Sequence, residues 1–157
     1  MEIQGLGAFL TEHAFFAGLP ESFVGFVAGC GRNVSVGTGD YLFREGEDAD
    51  RMFVVREGRV SIEVFVPQQG PVVIDTVGEG DIVGVSWLFA PHRWQFDARA
   101  LDGVRAVALD GVCLRGKCDE DPSLGYEMMK RVSGVVQRRM QSARFRLLDL
   151  YGHGRAG

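Results

Sequence analysis

The sequence contains few of the side chains that build metal and redox centres. It has three histidines and three cysteines, and no two cysteines have the Cys-x2-Cys spacing of a zinc site. An odd number of cysteines does not complete a disulfide framework, so we expect reduced thiols and a cytoplasmic protein. Cys113 and Cys118 lie five residues apart on a predicted helix, about 140° around its axis. We interpret both as buried structural thiols.

Long apolar runs and enzyme motifs are also missing. No uninterrupted apolar run reaches the roughly 18 residues of a membrane-spanning helix, and the N-terminus lacks the basic start and apolar centre of a signal peptide. We therefore expect no membrane contact. No nucleophile elbow, P-loop or metalloprotease motif occurs, and the three histidines are too scattered along the chain for a metal-binding cupin. The sequence predicts no catalytic residue, no metal site and no enzyme activity.

The chain is acidic overall, but its C-terminal segment is basic. The formal net charge is −4, yet residues 1–121 carry 10 basic against 19 acidic side chains, whereas residues 122–157 carry 7 against 2. A basic segment on an acidic body could contact nucleic acid or an acidic partner. A solvated helix whose arginines flank an apolar seam explains the same pattern. With 46% hydrophobic and 24% charged residues, the composition indicates one folded domain over residues 1–157.

Hydrophobic periodicity divides the chain into helices around a β-rich centre. Residues 6–30 contain apolar positions three and four residues apart, interrupted at Gly18 and Pro20, and predict a pair of helices. Residues 33–109 contain short apolar runs separated by glycines, which is typical of an antiparallel jelly-roll barrel. The predicted strands are "NVSV", "YLF", "RMFVVR", "RVSIEVFV", "PVVIDTV", "DARAL" and "VRAVAL".

Two further helices are predicted after the barrel, a short one at 111–120 and a long one at 122–151. The long helix has apolar residues at successive steps of four, four, three, four and three, close to a heptad pattern. We expect a homodimer through this seam, with the barrel sharing part of the contact; an ordinary amphipathic helix lying on its own domain is the alternative. The seam consists of Val132, Val136, Met140, Ala143, Leu147 and Leu150.

This order of elements resembles a known family. Together with "YLFREGEDADRMFVVREGRVSIEV" and "GDIVG", it is similar to the cyclic nucleotide-binding domain in its bacterial catabolite-activator (Crp/Fnr-like) form. The resemblance covers about residues 6–151 and implies a mainly β fold, a double-stranded β-helix jelly roll with flanking helices, and a regulatory role in signal transduction. Such regulators carry a DNA-binding helix-turn-helix after the long helix. Because the sequence ends six residues past Tyr151, we expect a stand-alone domain without sequence-specific DNA binding.

The resemblance also locates the ligand site, in a segment that we call the cassette (residues 84–95). The family pattern there is F-G-E-(L/I)-A followed by P-R-(A/T/S)-A, in which the glutamate holds the ribose 2′-hydroxyl and the arginine the cyclic phosphate. Aligned without gaps, Gly84 matches the glycine, Val85 replaces the glutamate and Trp87 replaces the small residue. Trp94 replaces the arginine, and Arg93 lies one position early. Both polar contacts are therefore lost, and we expect no binding of cyclic AMP in the usual pose.

Two interpretations of the cassette stay open. Backbone amides at its start, the Ser86 hydroxyl and a displaced Arg93 could bind an altered cyclic nucleotide or another anionic small ligand, with the indoles stacking on a ring. Alternatively, apolar side chains fill the pocket, Arg93 pairs with Asp97, and the domain is a ligand-free interaction or dimerisation module for an unknown protein partner. The candidate ligand-binding residues are Gly84, Val85, Ser86, Trp87, His92, Arg93, Trp94 and Gln95.

Overall fold

The computed structural model describes the backbone of residues 2–156 and the side chains of residues 5–149. Two helices come first, α1 (Glu2–Glu12) and α2 (Glu21–Gly29). Eight strands follow, namely β1 (Gly31–Val36), β2 (Tyr41–Phe43), β3 (Arg51–Glu57), β4 (Val60–Val66), β5 (Gly70–Val77), β6 (Ile82–Val83), β7 (Asp97–Ala100) and β8 (Val104–Asp110). The chain then forms α3 (Gly111–Glu120) and α4 (Pro122–Ala156).

The strands form two antiparallel four-stranded sheets. Their strand orders are β1-β8-β3-β6 and β2-β7-β4-β5, so strands that are distant in sequence pair in each sheet, as in a jelly roll. The predicted fold class, a mainly β domain with a helix pair before the barrel and a short and a long helix after it, is confirmed. The strand that the sequence did not reveal is β6, because two residues are too few to show an alternating pattern.

Two hydrophobic cores share the strands β3 and β8. The first lies between the two sheets and includes Phe53 and Val55 of β3. The second lies between the β1-β8-β3-β6 sheet and the helices, and includes Met52 and Val54 of the same strand. Since successive side chains of a strand point to opposite faces, a strand between two cores is apolar at every position. This explains the continuous run "MFVV" in β3.

The long helix α4 packs on the domain by its N-terminal part. Val132 is fully buried inside this chain, so it is a core residue rather than a surface for a partner. Met140 and Leu147, by contrast, are 67% and 56% exposed, and the side chain of Leu150 lies outside the described residues. The helix also extends to Ala156 rather than ending near residue 151, because glycine lowers helix propensity by only about 1 kcal/mol per residue.

The interpretation of both helix cysteines as buried thiols is wrong for one of them. Cys118 is buried, whereas Cys113 is exposed. The two residues are both on α3, and a separation of about 140° turns them to different faces of the helix. Among the described residues, no helix combines the length and hydropathy needed to cross a membrane.

Candidate functional site

Trp94 occupies the interior of the barrel beside the start of the cassette. Its side chain is buried, and its ring stacks on Phe43 with 3.7 Å between centroids and an interplanar angle of 11°. Gly84 lies against the same indole with φ of +90°. A Cβ atom at Gly84 would be 2.7 Å from Cζ3 of Trp94, closer than packed carbon atoms approach. The missing side chain at Gly84 therefore makes room for the indole.

Trp87 lies in the other core, although it is only seven residues earlier in the sequence. It belongs to a single 3₁₀ turn, Ser86–Leu88, and is fully buried under α3. Arg115 on α3 donates from Nη1 to the Trp87 carbonyl at 2.6 Å. Gly111 packs against this residue so closely that an added Cβ would lie 2.6 Å from the Trp87 Cβ. The two indoles thus lie in different cores and do not face one common ligand space.

Arg93 points away from the barrel interior. Its Nη1 lies 3.0 Å from Oδ1 of Asp48 and donates to the Gly46 carbonyl at 3.2 Å, while half of the side chain stays exposed. Asp97 does not pair with Arg93, which corrects that alternative. Its Oδ1 instead accepts from the Glu45 amide at 2.8 Å and lies 3.4 Å from Nε of Arg44.

The other polar residues of the cassette support its own backbone. Gln95 is exposed, and its Nε2 donates to the Arg93 carbonyl at 3.0 Å. His92 has a positive φ of 59°, its amide donates to the Phe89 carbonyl, and its own carbonyl accepts from the Ala49 amide. Ser86 is half-buried at the start of the 3₁₀ turn. A three-residue turn aligns too few peptide dipoles to favour an anion.

A cavity of about 250 Å³ lies between the start of the cassette and α4, and we call it the α4 cavity. Its volume is slightly below the range of roughly 300–1,000 Å³ for pockets that hold drug-sized ligands. Most of its lining is apolar. The lining residues are Gly84, Val85, Phe96, Val135, Val136, Arg139, Met140 and Ala143.

Arg139 supplies the charge at this cavity. Its Nη2 donates to the Ile82 carbonyl and its Nε lies 3.9 Å from Oδ2 of Asp75, so the side chain ties α4 to β5 and β6. Burial lowers the pKa of Arg139, although Asp75 opposes this shift. Its Nη1 is buried and has no hydrogen-bond partner among the described residues. The guanidinium is thus occupied at the barrel side of the helix, and the cavity itself offers almost entirely apolar walls.

Sequence reasoning missed Phe96, Val135 and Arg139 as lining residues. A signal for Arg139 was present, because it lies three residues after Val136 and four before Ala143, on the face of the predicted seam. No comparable sequence signal identifies Phe96, which reaches the cavity lining only because distant strands pair in the fold. Within the described part of the chain, no group of three or more His, Cys, Asp or Glu side chains is arranged to hold a metal ion.

Comparisons with known proteins give a consistent result. The family model for the cyclic nucleotide-binding domain matches residues 33–121. The chain is 26% identical over 141 residues to a CRP-like cAMP-activated global transcriptional regulator of Mycobacterium tuberculosis, covering 90% of this chain and 61% of the regulator. It is 28% identical over 118 residues to an anaerobic regulatory protein of Bacillus subtilis, covering 74% of this chain and 48% of that protein. The chain thus spans less than two thirds of either regulator.

Solved structures with the same fold include other cyclic nucleotide-binding domains. A candidate cyclic nucleotide-binding protein from Geobacter metallireducens superposes with a TM-score of 0.75 at 29% identity, covering 89% of this chain and 98% of that protein. A cyclic nucleotide-binding domain from Methylobacillus flagellatus has the same TM-score at 18% identity, covering 94% of this chain and 83% of that chain. At that identity the second likeness supports the fold alone.

Proposed function

Because this chain belongs to the cyclic nucleotide-binding domain family, we propose that it is a non-enzymatic regulatory domain whose α4 cavity senses a compact, largely apolar ligand rather than a cyclic nucleotide. The observation that carries the proposal is the position of Trp94. This residue aligns with the phosphate-binding arginine of the family pattern, yet its indole is buried against Phe43 and Gly84. An indole in that position fills space and offers no charge to a phosphate.

Two features of the cassette disfavour a cyclic nucleotide in the usual pose. Val85 has no acceptor for a ribose hydroxyl, and leaving a buried polar group without its partner costs about 1–3 kcal/mol. Arg93 is half exposed and already paired with Asp48. Recruiting it to the barrel would break that pair and displace the Trp94 indole.

The lining of the α4 cavity favours a ligand of different chemistry. Its walls are almost entirely apolar and suit an apolar body. Val136, Met140 and Ala143 line the cavity and also belong to the predicted seam of α4. A bound ligand would therefore touch the helix that carries the proposed partner surface, and it would shift a conformational equilibrium only as far as it binds one state more tightly.

The test uses the full chain and measures binding directly. Tryptophan emission is titrated with cyclic AMP, cyclic GMP and a cyclic dinucleotide. Both tryptophans lie in the cassette, so their emission reports on binding at that segment. Because the proposal excludes these nucleotides, we expect a flat response to all three. The same protein is titrated with 1-anilinonaphthalene-8-sulfonate, an apolar ring system with one anionic group. We expect saturable binding of this probe with a stoichiometry of one.

Three variants locate that binding. Ala143→Phe fills the α4 cavity and is expected to abolish probe binding, whereas Gln141→Phe adds the same ring at a neighbouring exposed position and leaves it unchanged. Arg139→Met removes the contacts of α4 with Ile82 and Asp75 and is expected to weaken probe binding, because Met140 and Ala143 of the cavity wall lose that support. Saturable binding of cyclic AMP by the parent chain, or probe binding that ignores Ala143→Phe, contradicts the proposal.

A second candidate function is a ligand-free interaction module that acts through α4 as a homodimer or with another protein. The observation that favours it is a group of exposed apolar side chains on the C-terminal part of the helix, which soluble monomers seldom display together. These side chains are Met140, Phe145, Leu147 and Leu148. If neither the nucleotides nor the anilinonaphthalene probe binds, the result favours the interaction module over the ligand sensor.

A further inference from the structure

Two cysteines that are 83 positions apart in sequence share one surface cavity at the junction of α2, β8 and α3. The cavity has a volume of about 480 Å³, and its lining includes Cys30 and Cys113 together with Arg32 and Arg51. Cys30 is the residue that ends α2, and Cys113 lies in the first turn of α3. Cys113 is exposed and Cys30 is half-buried. A small solute can therefore reach this pair from solvent.

Hydrogen bonds through Asp110 hold the two cysteines beside each other. The Asp110 amide donates to the Cys30 carbonyl at 2.9 Å. The Asp110 side chain caps α3 by accepting from the Cys113 amide at 3.0 Å. Gly31 and Leu109 pair in the adjoining strands β1 and β8, which fixes the same register.

We propose that Cys30 and Cys113 are a thiol-modification site, which hydroperoxides convert reversibly into a disulfide between α2 and α3. The site is independent of the α4 cavity and of any ligand bound there. Within the described part of the chain, no third metal-ligating side chain joins the two thiols, so paired-thiol chemistry fits this arrangement better than metal binding.

The reaction takes place in two balanced steps. The sulfur of Cys113, as thiolate, attacks one oxygen of hydrogen peroxide. An S–O bond forms, the O–O bond breaks, and the leaving hydroxide takes up the proton that Cys113 lost on ionisation and becomes water, so that Cys113 becomes a sulfenic acid. The sulfur of Cys30 then attacks that sulfur, the S–O bond breaks, and the Cys30 proton leaves with the hydroxyl as water. In total, two thiols are oxidised to one disulfide, and one peroxide is reduced to two waters.

The environment of each thiol assigns the order of these steps. Exposure makes Cys113 the thiol that peroxide reaches first. Burial, with a smaller effect from the neighbouring Cys113, raises the pKa of Cys30 to about 12, so Cys30 stays protonated until the sulfenic acid forms beside it. Cys118 is buried, and burial also raises its pKa, so it takes no part.

The disulfide would join the N-terminal helix pair to the helix that leads into α4. Cys113 lies two residues before Arg115, whose guanidinium holds the Trp87 carbonyl. A cross-link at Cys113 therefore restrains the first turn of α3 against α2, while the contact of α3 with the cassette stays in place.

The test treats the reduced full chain with hydrogen peroxide, alkylates the remaining thiols and maps the peptides by mass spectrometry. We expect two of the three thiols to be lost together, a peptide linking Cys30 to Cys113, and recovery of both thiols after dithiothreitol. Cys118 stays available to alkylation after unfolding. Cys118→Ser serves as the matched control and leaves the linked peptide unchanged.

Single substitutions separate the role of Cys113, which reacts with peroxide, from the role of Cys30, which resolves the sulfenic acid. In Cys30→Ser, the sulfenic acid of Cys113 has no resolving thiol, so dimedone traps it; in the parent chain dimedone traps none. In Cys113→Ser, Cys30 survives a peroxide exposure that oxidises the parent chain. Circular dichroism verifies that both variants are folded. Oxidation of Cys113 to sulfinic acid with Cys30 still free, or disulfides only between chains or to Cys118, overturns the proposal.

Discussion

At the scale of single residues, the neighbours Trp94 and Arg93 have very different environments. Trp94 contributes a large apolar surface stacked on Phe43, which stabilises the fold both by burial and by the aromatic contact. Arg93, its neighbour, is half exposed and pairs with Asp48 at the surface. A buried indole and an exposed ion pair differ several-fold in their energetic contribution, although the two residues are adjacent in sequence.

This difference predicts unequal costs of truncation. Trp94→Ala leaves a cavity between the sheets and is expected to lower the free energy of unfolding by about 3–5 kcal/mol. Arg93→Ala removes an exposed ion pair and is expected to cost at most about 1 kcal/mol. Urea denaturation followed by circular dichroism measures both values. Equal costs, or a larger cost for Arg93→Ala, would show that the indole is not a core residue.

At the scale of elements, α4 has an anchored part and a projecting part. Met128 and Val132 are fully buried against the helical core, whereas Phe145 and Leu147 are more than half exposed. Arg139 lies between the two parts and connects the helix to Ile82 and Asp75. Beyond it, Arg146 makes one long contact of 3.4 Å with Thr76. Arg139 is thus the point at which the attachment of the helix to the barrel weakens.

Removing this attachment is expected to loosen the C-terminal half of the helix without unfolding the domain. In Arg139→Ala, amide hydrogens of residues 140–149 should exchange about tenfold faster, which corresponds to the loss of one buried hydrogen bond of about 1.4 kcal/mol. Arg138→Ala, on the exposed neighbouring position, should leave exchange unchanged. If both variants exchange equally, Arg139 does not anchor the helix.

At the scale of the whole molecule, exposed apolar and basic side chains occur together at the end of α4. The exposed side chains of Phe145 and Leu147 alternate with the basic residues Arg144 and Arg146, while the preceding body is acidic. Apolar side chains give an interface its affinity, and complementary charge guides its formation. This combination is the basis for expecting a homodimer through α4.

The homodimer is tested by mass measurement in solution. Light scattering after size exclusion should give a dimer for the parent chain and a monomer for Leu147→Lys, because a charge at an apolar contact is costly to bury. Leu147 is exposed within one chain, so the melting temperature should change little. Phe65→Lys, at an equally exposed apolar site on β4, should remain dimeric. A monomeric parent chain at tens of micromolar argues against the interface.

Local patterns in the sequence predicted most of the fold, and they also led to one prediction about the ligand site. Glycines between short apolar runs marked the strands, and the spacing of three and four residues marked the helices, because both patterns record which face of an element is buried. Counting along the cassette also placed Val85 and Trp94 at the glutamate and arginine positions of the family pattern. That these replacements disfavour cyclic nucleotide binding stays a prediction.

The tertiary structure alone decided which residues meet. It separated Trp87 from Trp94 into different cores, brought Cys30 beside Cys113, and selected Arg139 rather than Arg138 to face the barrel. Periodicity reports whether a side chain is buried but not what it is buried against. The neighbours of a buried side chain depend on the pairing of distant strands, such as β1 with β8, and on how α4 crosses the barrel. The sequence therefore determined the kind of domain, and long-range packing determined where its cavities and reactive groups lie.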